Sequence, residues 1–255
     1  MSMKKFIYVI MAVIAISFVS AVEMQAQESV EKNSWGAQLK ESPFSLGLEL
    51  TSKYLWRGQE YANGPAMFPS VSYNNGGFSV GAVGAYDFHG DYSELDLFVS
   101  YSFKGLTASI TDYYYPTAVG ANDGYFNFKN SETGHMWEGA ISYEHENVPV
   151  WILASIFFAG ADKNLEGKQA WSSYAEIGTH YDFLEDNSVS VALGAALNKS
   201  FYNNFETGFS VVNVAFKYTR NVAIGKNFTL PLSASYVINP QKNKGYINFS
   251  AAFAF

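Results

Sequence analysis

The sequence predicts an all-β protein: a transmembrane antiparallel up-and-down β-barrel of about 12 strands, with short periplasmic turns and longer extracellular loops. Three observations predict it. Apolar and polar residues alternate from Phe44 to the end, connectors alternate between short and long, and aromatic side chains gather at the two ends of the apolar faces. Charged residues make up 15% of the 255 positions, below the roughly 25% of an ordinary soluble domain, yet the mean hydropathy is close to zero. Such a chain sorts its polar from its apolar residues. A net charge of −7 with no Lys/Arg cluster excludes a nucleic-acid binder, and the absence of Cys excludes a disulfide scaffold.

The elements follow in chain order. Lys4 and Lys5 precede the apolar run Phe6 to Val19, and small residues recur at Ser20, Ala21 and Ala26, the order of an export signal. That run is too short to span a bilayer stably. Residues 1–26 are therefore expected to be a signal peptide cleaved after Ala21 or Ala26, with 27–43 a periplasmic lead-in and 44–255 the barrel. Cleavage removes Lys4, Lys5 and Glu23, which makes the formal charge one unit more negative than −7.

The first strand run sets Phe44, Leu46, Leu48, Leu50, Tyr54 and Trp56 on one face, against Ser45, Gly47, Glu49, Thr51, Lys53 and Arg57 on the other. Later runs are expected at 65–73, 78–88, 94–103, 106–115, 135–143, 148–159, 171–183, 189–197, 208–218, 227–238 and 247–255. The run at 148–159 is apolar on both faces, which leaves its orientation open. Asp112 falls at a lipid-facing parity, and Pro69 and Pro231 each lack a ladder donor, so bulges or strand ends are expected there.

Alternation alone fits a soluble sandwich as well as a barrel. The connectors separate the two. Short links at 74–77, 104–105, 144–147 and 184–187 alternate with mostly longer ones at 58–64, 89–92, 116–134, 160–170, 198–207 and 239–244, an asymmetry that belongs to membrane barrels. Aromatic girdles are expected at the headgroup level. Tyr73, Tyr101, Tyr143, Tyr181, Tyr218 and Phe255 flank the short turns, and Tyr54, Trp56, Tyr86, Tyr114, Trp137, Trp171 and Tyr236 flank the long loops. The final run is an aggregation edge in a soluble protein, whereas barrel closure pairs it with the first strand.

The segment Ser52-Lys53-Tyr54-Leu55-Trp56-Arg57-Gly58, followed by Pro65-Ala66, resembles the opening of the TorF-type porins, small exported barrels with a Ser/Thr-x-Tyr-x-x-Arg-Gly segment. Leu230 to Tyr236 with Asn239-Pro240 resembles small outer-membrane barrels of Bacteroidetes-type bacteria. Ile247, Phe249, Phe253 and Phe255 resemble the C-terminal signal by which such barrels are recognised for insertion. The likeness covers the first three strands and the last two. It implies a porin-like barrel of a Gram-negative outer membrane, with membrane lipids and the barrel-insertion machinery as partners, and it implies no substrate and no oligomeric state.

Twelve strands tilted about 40° and spaced about 4.8 Å close into a barrel of roughly 24 Å backbone diameter. Inward parity collects Glu49, Asp87, Glu94, Asp96, Glu138 and Glu176 against Lys53, Arg57 and Lys217, with His180 beside them. Lys53 and Arg57 are expected to bridge some of these carboxylates, and the residual negative field favours cations. The expected function is a narrow passive channel for small solutes with a weak cation preference. The alternative is a non-conducting structural or adhesion barrel acting through its loops, above all 116–134 with Tyr125, Phe126 and Phe128.

A lipid-modifying enzyme needs a nucleophile and a base in contact. Glu176 and His180 share a face but lie roughly 13 Å apart along a strand, and His180 with Ser190 points into the lumen. His89 and His135 belong to the loop side and His145 to a turn. No catalytic residue and no cofactor is assigned, and Asp123 with Glu132 supplies too few ligands for calcium, so no metal is assigned either.

Overall fold

The computed structural model describes residues 42–116, 124–130, 132–145, 147–225 and 228–255. The expected signal peptide, the lead-in up to residue 41 and Asp123 lie outside the described residues.

Among the described residues fourteen strands follow in order: β1 (Phe44–Thr51), β2 (Tyr54–Trp56), β3 (Gln59–Ala62), β4 (Ala66–Asn75), β5 (Phe78–Asp87), β6 (Ser93–Phe103), β7 (Leu106–Tyr114), β8 (His135–His145), β9 (Val148–Gly160), β10 (Ser173–Phe183), β11 (Asn187–Ala196), β12 (Ser210–Ile224), β13 (Phe228–Asn239) and β14 (Lys244–Ala254). β1 and β4 to β14 form one closed barrel of twelve antiparallel strands, each beside its neighbour in this series. β14 closes on β1 with Phe253 opposite Leu48, so the Phe-rich final strand has no free edge. β2 and β3 form a separate two-stranded ribbon.

The two faces of the wall demand different surroundings. Leu46, Val71, Leu97, Ile141, Ile177 and Phe249 remain exposed on the outer face, a continuous apolar band that water would drive to bury. Closure leaves every barrel strand paired on both sides, as a hydrocarbon environment requires. Tyr73, Tyr86, Tyr101, Trp137, Tyr143, Tyr181 and Tyr236 sit at outward positions near the strand ends, while Tyr218 is outward in mid-strand because β12 runs on to Ile224. This is a transmembrane β-barrel. Its inner face alternates with the outer one, and over the half nearest the tight turns it carries mostly small residues such as Ser70, Ser79, Gly81, Ser100, Ser109 and Ser235.

The main departure from expectation is the first strand run. It stops at Thr51, where the Asn248 Oδ1 accepts the Lys53 backbone N–H at 2.9 Å and the Ser52 hydroxyl at 2.8 Å and turns the chain inward. Tyr54 and Trp56 are therefore not girdle residues: they are 5% and 6% exposed inside the barrel. The alternation runs on past the break because a lumen-filling ribbon selects aromatics as a lipid interface does. The expected connector 58–64 is mostly ribbon, and Trp56 pairs Gln59 across a two-residue turn. Arg57 and Gly58 both have positive φ, 48° and 74°, the geometry that tight hairpins adopt.

Smaller differences have local causes. β12 continues to Ile224, because its pairing with β13 persists to Phe228. β10 starts at Ser173, so Trp171 is an exposed loop residue at φ 55° and not part of a strand girdle. Tyr114 is outward but covered. Pairing with β8, which sets Ile141 opposite Ala154, settles β9: Trp151, Leu153 and Phe157 point inward and Ile152, Ala154 and Ile156 point outward, and a register shift follows opposite Trp137 and Glu138. Asp112 lies two residues from the end of β7, the β4–β5 ladder skips Phe68 and Pro69, and Pro231 lies just beyond the pairing of β13 with β14.

Candidate functional site

The β2–β3 ribbon crosses the lumen at the level where the longer loops join the barrel. Tyr54 packs on Phe68 with ring centroids 4.8 Å apart, and Trp56 packs on Tyr113, Phe157 and Tyr202 at 5.9, 6.4 and 5.8 Å. Tyr202 comes from a 3-10 turn (Phe201–Asn203) that dips inward between β11 and β12. Tyr174, Tyr202 and Phe157 are fully buried in this cluster, so aromatic rings fill the barrel here as a core fills a soluble domain.

Arg57 sits at the centre of the cluster. Its guanidinium donates to Glu138 Oε1 at 2.5 Å and Oε2 at 3.2 Å and to the Tyr202 hydroxyl at 2.6 Å. It lies between the rings of Trp56 and Tyr174, 4.3 and 4.7 Å from their centroids. Glu138 also accepts the Tyr113 hydroxyl at 2.9 Å. A bidentate, stacked guanidinium satisfies a charge that is otherwise costly away from water.

The far wall holds the ribbon tip. Gly58 lies so close to β12 that a Cβ would stand 1.9 Å from the Val212 carbonyl oxygen, and Asn239 Nδ2 donates to the Gly58 carbonyl at 3.0 Å. Gln59 donates to the Tyr202 carbonyl at 3.3 Å and accepts from Lys242 Nζ. The ribbon thus spans from β8 to β12 and β13. Nearer the rim, the Tyr54 and Tyr92 hydroxyls donate to Glu94 at 2.9 and 2.7 Å.

Other residues singled out in the sequence are dispersed. Lys53 stays near the rim, pairs with Glu60 at 2.7 Å, both side chains about a quarter exposed, and donates to Asn63 at 2.8 Å, so it bridges within the ribbon and does not line the lumen below. Glu49 is opposite Phe68 and Ala252, and Lys217 is opposite Ser190 and Ser235. Asp96 is opposite Val83 and Tyr113. Glu176 accepts the Tyr174 hydroxyl at 2.5 Å and the Trp151 indole N–H at 3.4 Å. His180 faces Ser190 across β10 and β11. Asp87 caps the β5–β6 loop by accepting the Tyr92 backbone N–H at 2.8 Å. Ile247, Phe249 and Phe253 face outward on β14. Among the described residues, no group of three His, Asp or Glu side chains is placed to hold a metal ion.

Residues that the sequence reading assigned no part in the site are Tyr202, Val212, Asn239 and Lys242, which clasp the ribbon. Tyr202 and Lys242 lie in connectors, where no periodicity marks an inward side chain. Asn239 lies beside Pro240, which ends β13 and so marks a turn, but not a clasp.

Two loops are anchored on the outside of this site. His135 Nδ1 lies 2.9 Å from both Asp112 oxygens and Nε2 lies 2.7 Å from the Tyr125 carbonyl, so the ring bridges the strand carboxylate and the loop backbone. Tyr114 and Phe128 cover the pair with rings 4.6 and 4.7 Å away. The described part of the 116–134 connector therefore lies against the outer face of β7 and β8 and not in the lumen. Between β9 and β10, Asp162 accepts the Ser172 backbone N–H at 2.9 Å and the Ser172 hydroxyl at 2.5 Å. Burial holds its carboxyl above the ordinary value of 3.8 against the opposing pull of those donors. Burial likewise lowers the Lys242 ammonium from 10.5.

The sequence matches no family model and no curated protein. Among solved structures, it is similar to the KdgM porin at 10% identity and a TM-score of 0.47, over 83% of this chain and 98% of that one. It is similar to the NanC porin at 11% identity and a TM-score of 0.43, over 82% and 98%. It is also similar to OccK8 (OprE) of Pseudomonas aeruginosa at 9% identity and a TM-score of 0.40, over 85% and 68%.

Proposed function

We propose that this protein is a porin-like barrel of a bacterial outer membrane: a narrow passive channel for small solutes with a weak cation preference, closed at its extracellular half by the β2–β3 ribbon. One observation carries the reading. A packed plug sits above an inner wall rich in Ser, Gly, Ala and Thr, including Gly47, Ser72, Ser79, Thr107, Ser188 and Ser250, with Glu49, Phe98, His180 and Lys217 among them. A barrel built only for rigidity fills its interior with large side chains, whereas small hydroxyls favour a column of water.

The charge arrangement supports the cation preference. Arg57 is neutralised by Glu138 and Lys53 by Glu60. Glu49, Asp87, Glu94, Asp96 and Glu176 then face the inside against Lys217, which leaves the path negative. Transport is favoured over catalysis because His180 meets Ser190 inside the barrel while Glu176 is engaged by Tyr174 and Trp151. Export by a cleaved signal at 1–26, and recognition of Ile247, Phe249, Phe253 and Phe255 by the insertion machinery, belong to the same proposal.

Planar-bilayer recording tests it. Replacing residues 53–63 by a Gly-Ser linker is expected to raise conductance well above that of the native protein, with a reversal potential in a KCl gradient that favours K⁺. The buried centre of the plug also favours a second reading, a closed barrel acting through its loops. A ribbon-deleted barrel that folds but stays silent overturns the channel and leaves that reading.

A further inference from the structure

A cavity of about 380 Å³ opens at the extracellular mouth, on the seam between the ribbon and the barrel wall. That volume lies within the roughly 300–1,000 Å³ of small-ligand sites. Its walls are Tyr61 and Asn63 from the ribbon side and Asp87, His89, Asp91 and Tyr92 from the β5–β6 side. The two tyrosine rings stand 6.0 Å apart at 66°, an open corner and not a closed stack.

Asp87 is the informative wall residue. Its side chain is only 4% exposed, and Oδ1 is fixed by the Tyr92 backbone N–H. Oδ2 lies 3.8 Å from His89 Nδ1, an ion-pair distance beyond hydrogen-bond reach. The His89 ring rests against Gly64, where a Cβ would stand 2.3 Å from Cε1, and is 61% exposed, so it leaves the carboxylate open to the cavity. Asp91 adds a second carboxylate to the wall. Lys53 bonds Asn63 but is itself neutralised by Glu60. An Oδ2 that holds no hydrogen bond among the described residues and still meets the cavity is a fixed acceptor for an incoming cation.

We propose that this cavity is a recognition site for a small organic ammonium ion. Asp87 and Asp91 accept its N–H groups, and the faces of Tyr61 and Tyr92 hold its charge and its methylenes. An anionic solute is repelled by both carboxylates, and a neutral polyol brings no charge to match them. The site gives the proposed channel a solute class, and rests on that reading for its role. Because it joins the ribbon to the wall, occupancy also bears on how firmly the plug is seated.

The test needs no conductance, so its failure is distinct from that of the channel. Cadaverine is titrated by calorimetry into the full-length barrel in a neutral detergent, with 1,5-pentanediol and glucose as uncharged probes. The expected result is saturable cadaverine binding that weakens with added salt and falls about tenfold or more in both Asp87→Asn and Asp91→Asn. Heat-modifiable gel mobility verifies that each variant is folded, and Asp91 provides a second variant should Asp87→Asn fail to fold. Three results overturn the proposal: no saturable cadaverine binding up to about 10 mM, unchanged affinity in folded variants, or binding of either uncharged probe as tight as cadaverine, which assigns hydroxyl recognition instead.

Discussion

Glu138→Gln is the sharpest probe of how the ribbon is held. The Arg57 and Glu138 side chains are 5% and 3% exposed, so their charges face each other with little water between them. Removing one partner of such a pair costs about 3–5 kcal/mol, because the other is left buried and uncompensated. The lower end applies here. Arg57 keeps the Tyr202 hydroxyl and the two flanking rings, and the glutamine oxygen still accepts one N–H. The cost falls on the docked ribbon alone, since an undocked Arg57 is hydrated, and about 3 kcal/mol moves the balance toward the undocked form by roughly two orders of magnitude. The assay is open probability in planar bilayers, with barrel folding followed by heat-modifiable mobility. An Arg57→Met/Glu138→Leu double variant removes both charges and is expected to close the barrel again. Open probability unchanged in a folded Glu138→Gln protein refutes the latch, and so does a double variant as open as the single one.

Three further outcomes follow from the geometry. Gly58→Ala is expected to open the barrel without touching a charge, because the new Cβ collides with the Val212 carbonyl and the residue must hold φ 74°; conductance equal to the native level refutes this. His135→Ala leaves Asp112 buried beside an empty space and is expected to cost about 3 kcal/mol in urea unfolding, with faster proteolysis of the Tyr125–Phe128 segment. For Asp162, whose carboxyl is raised above 3.8, the folded loop holds the proton more tightly than the unfolded chain does. Its contribution to stability is therefore greatest below 3.8, declines as pH rises from 3.8 through the folded value, and is level above it; an NMR titration midpoint at or below 3.8 contradicts the burial.

The wall was legible because a strand in a barrel has one degree of freedom that sequence records directly, the face each residue takes. Leu95, Leu97, Val99 and Tyr101 read outward, and they are outward. The plug was illegible for the same reason. Tyr54 and Trp56 keep the parity of Leu48 and Leu50, and parity says only that a residue avoids water, not whether lipid or a buried ring cluster replaces it. What breaks the pattern is Asn248, whose single side-chain oxygen captures Ser52 and Lys53 from 195 or more positions away, and no local window contains that contact. One local signal did exist. A nearly buried hairpin with positive φ at both turn residues needs a residue without a Cβ at close approach, and the Arg57-Gly58 pair supplies it two positions after Trp56. The fold thus follows from a repeated two-state choice made at every strand position, while the site follows from one long-range capture that feeds an arginine, and not a lipid-facing aromatic, into the centre of the barrel.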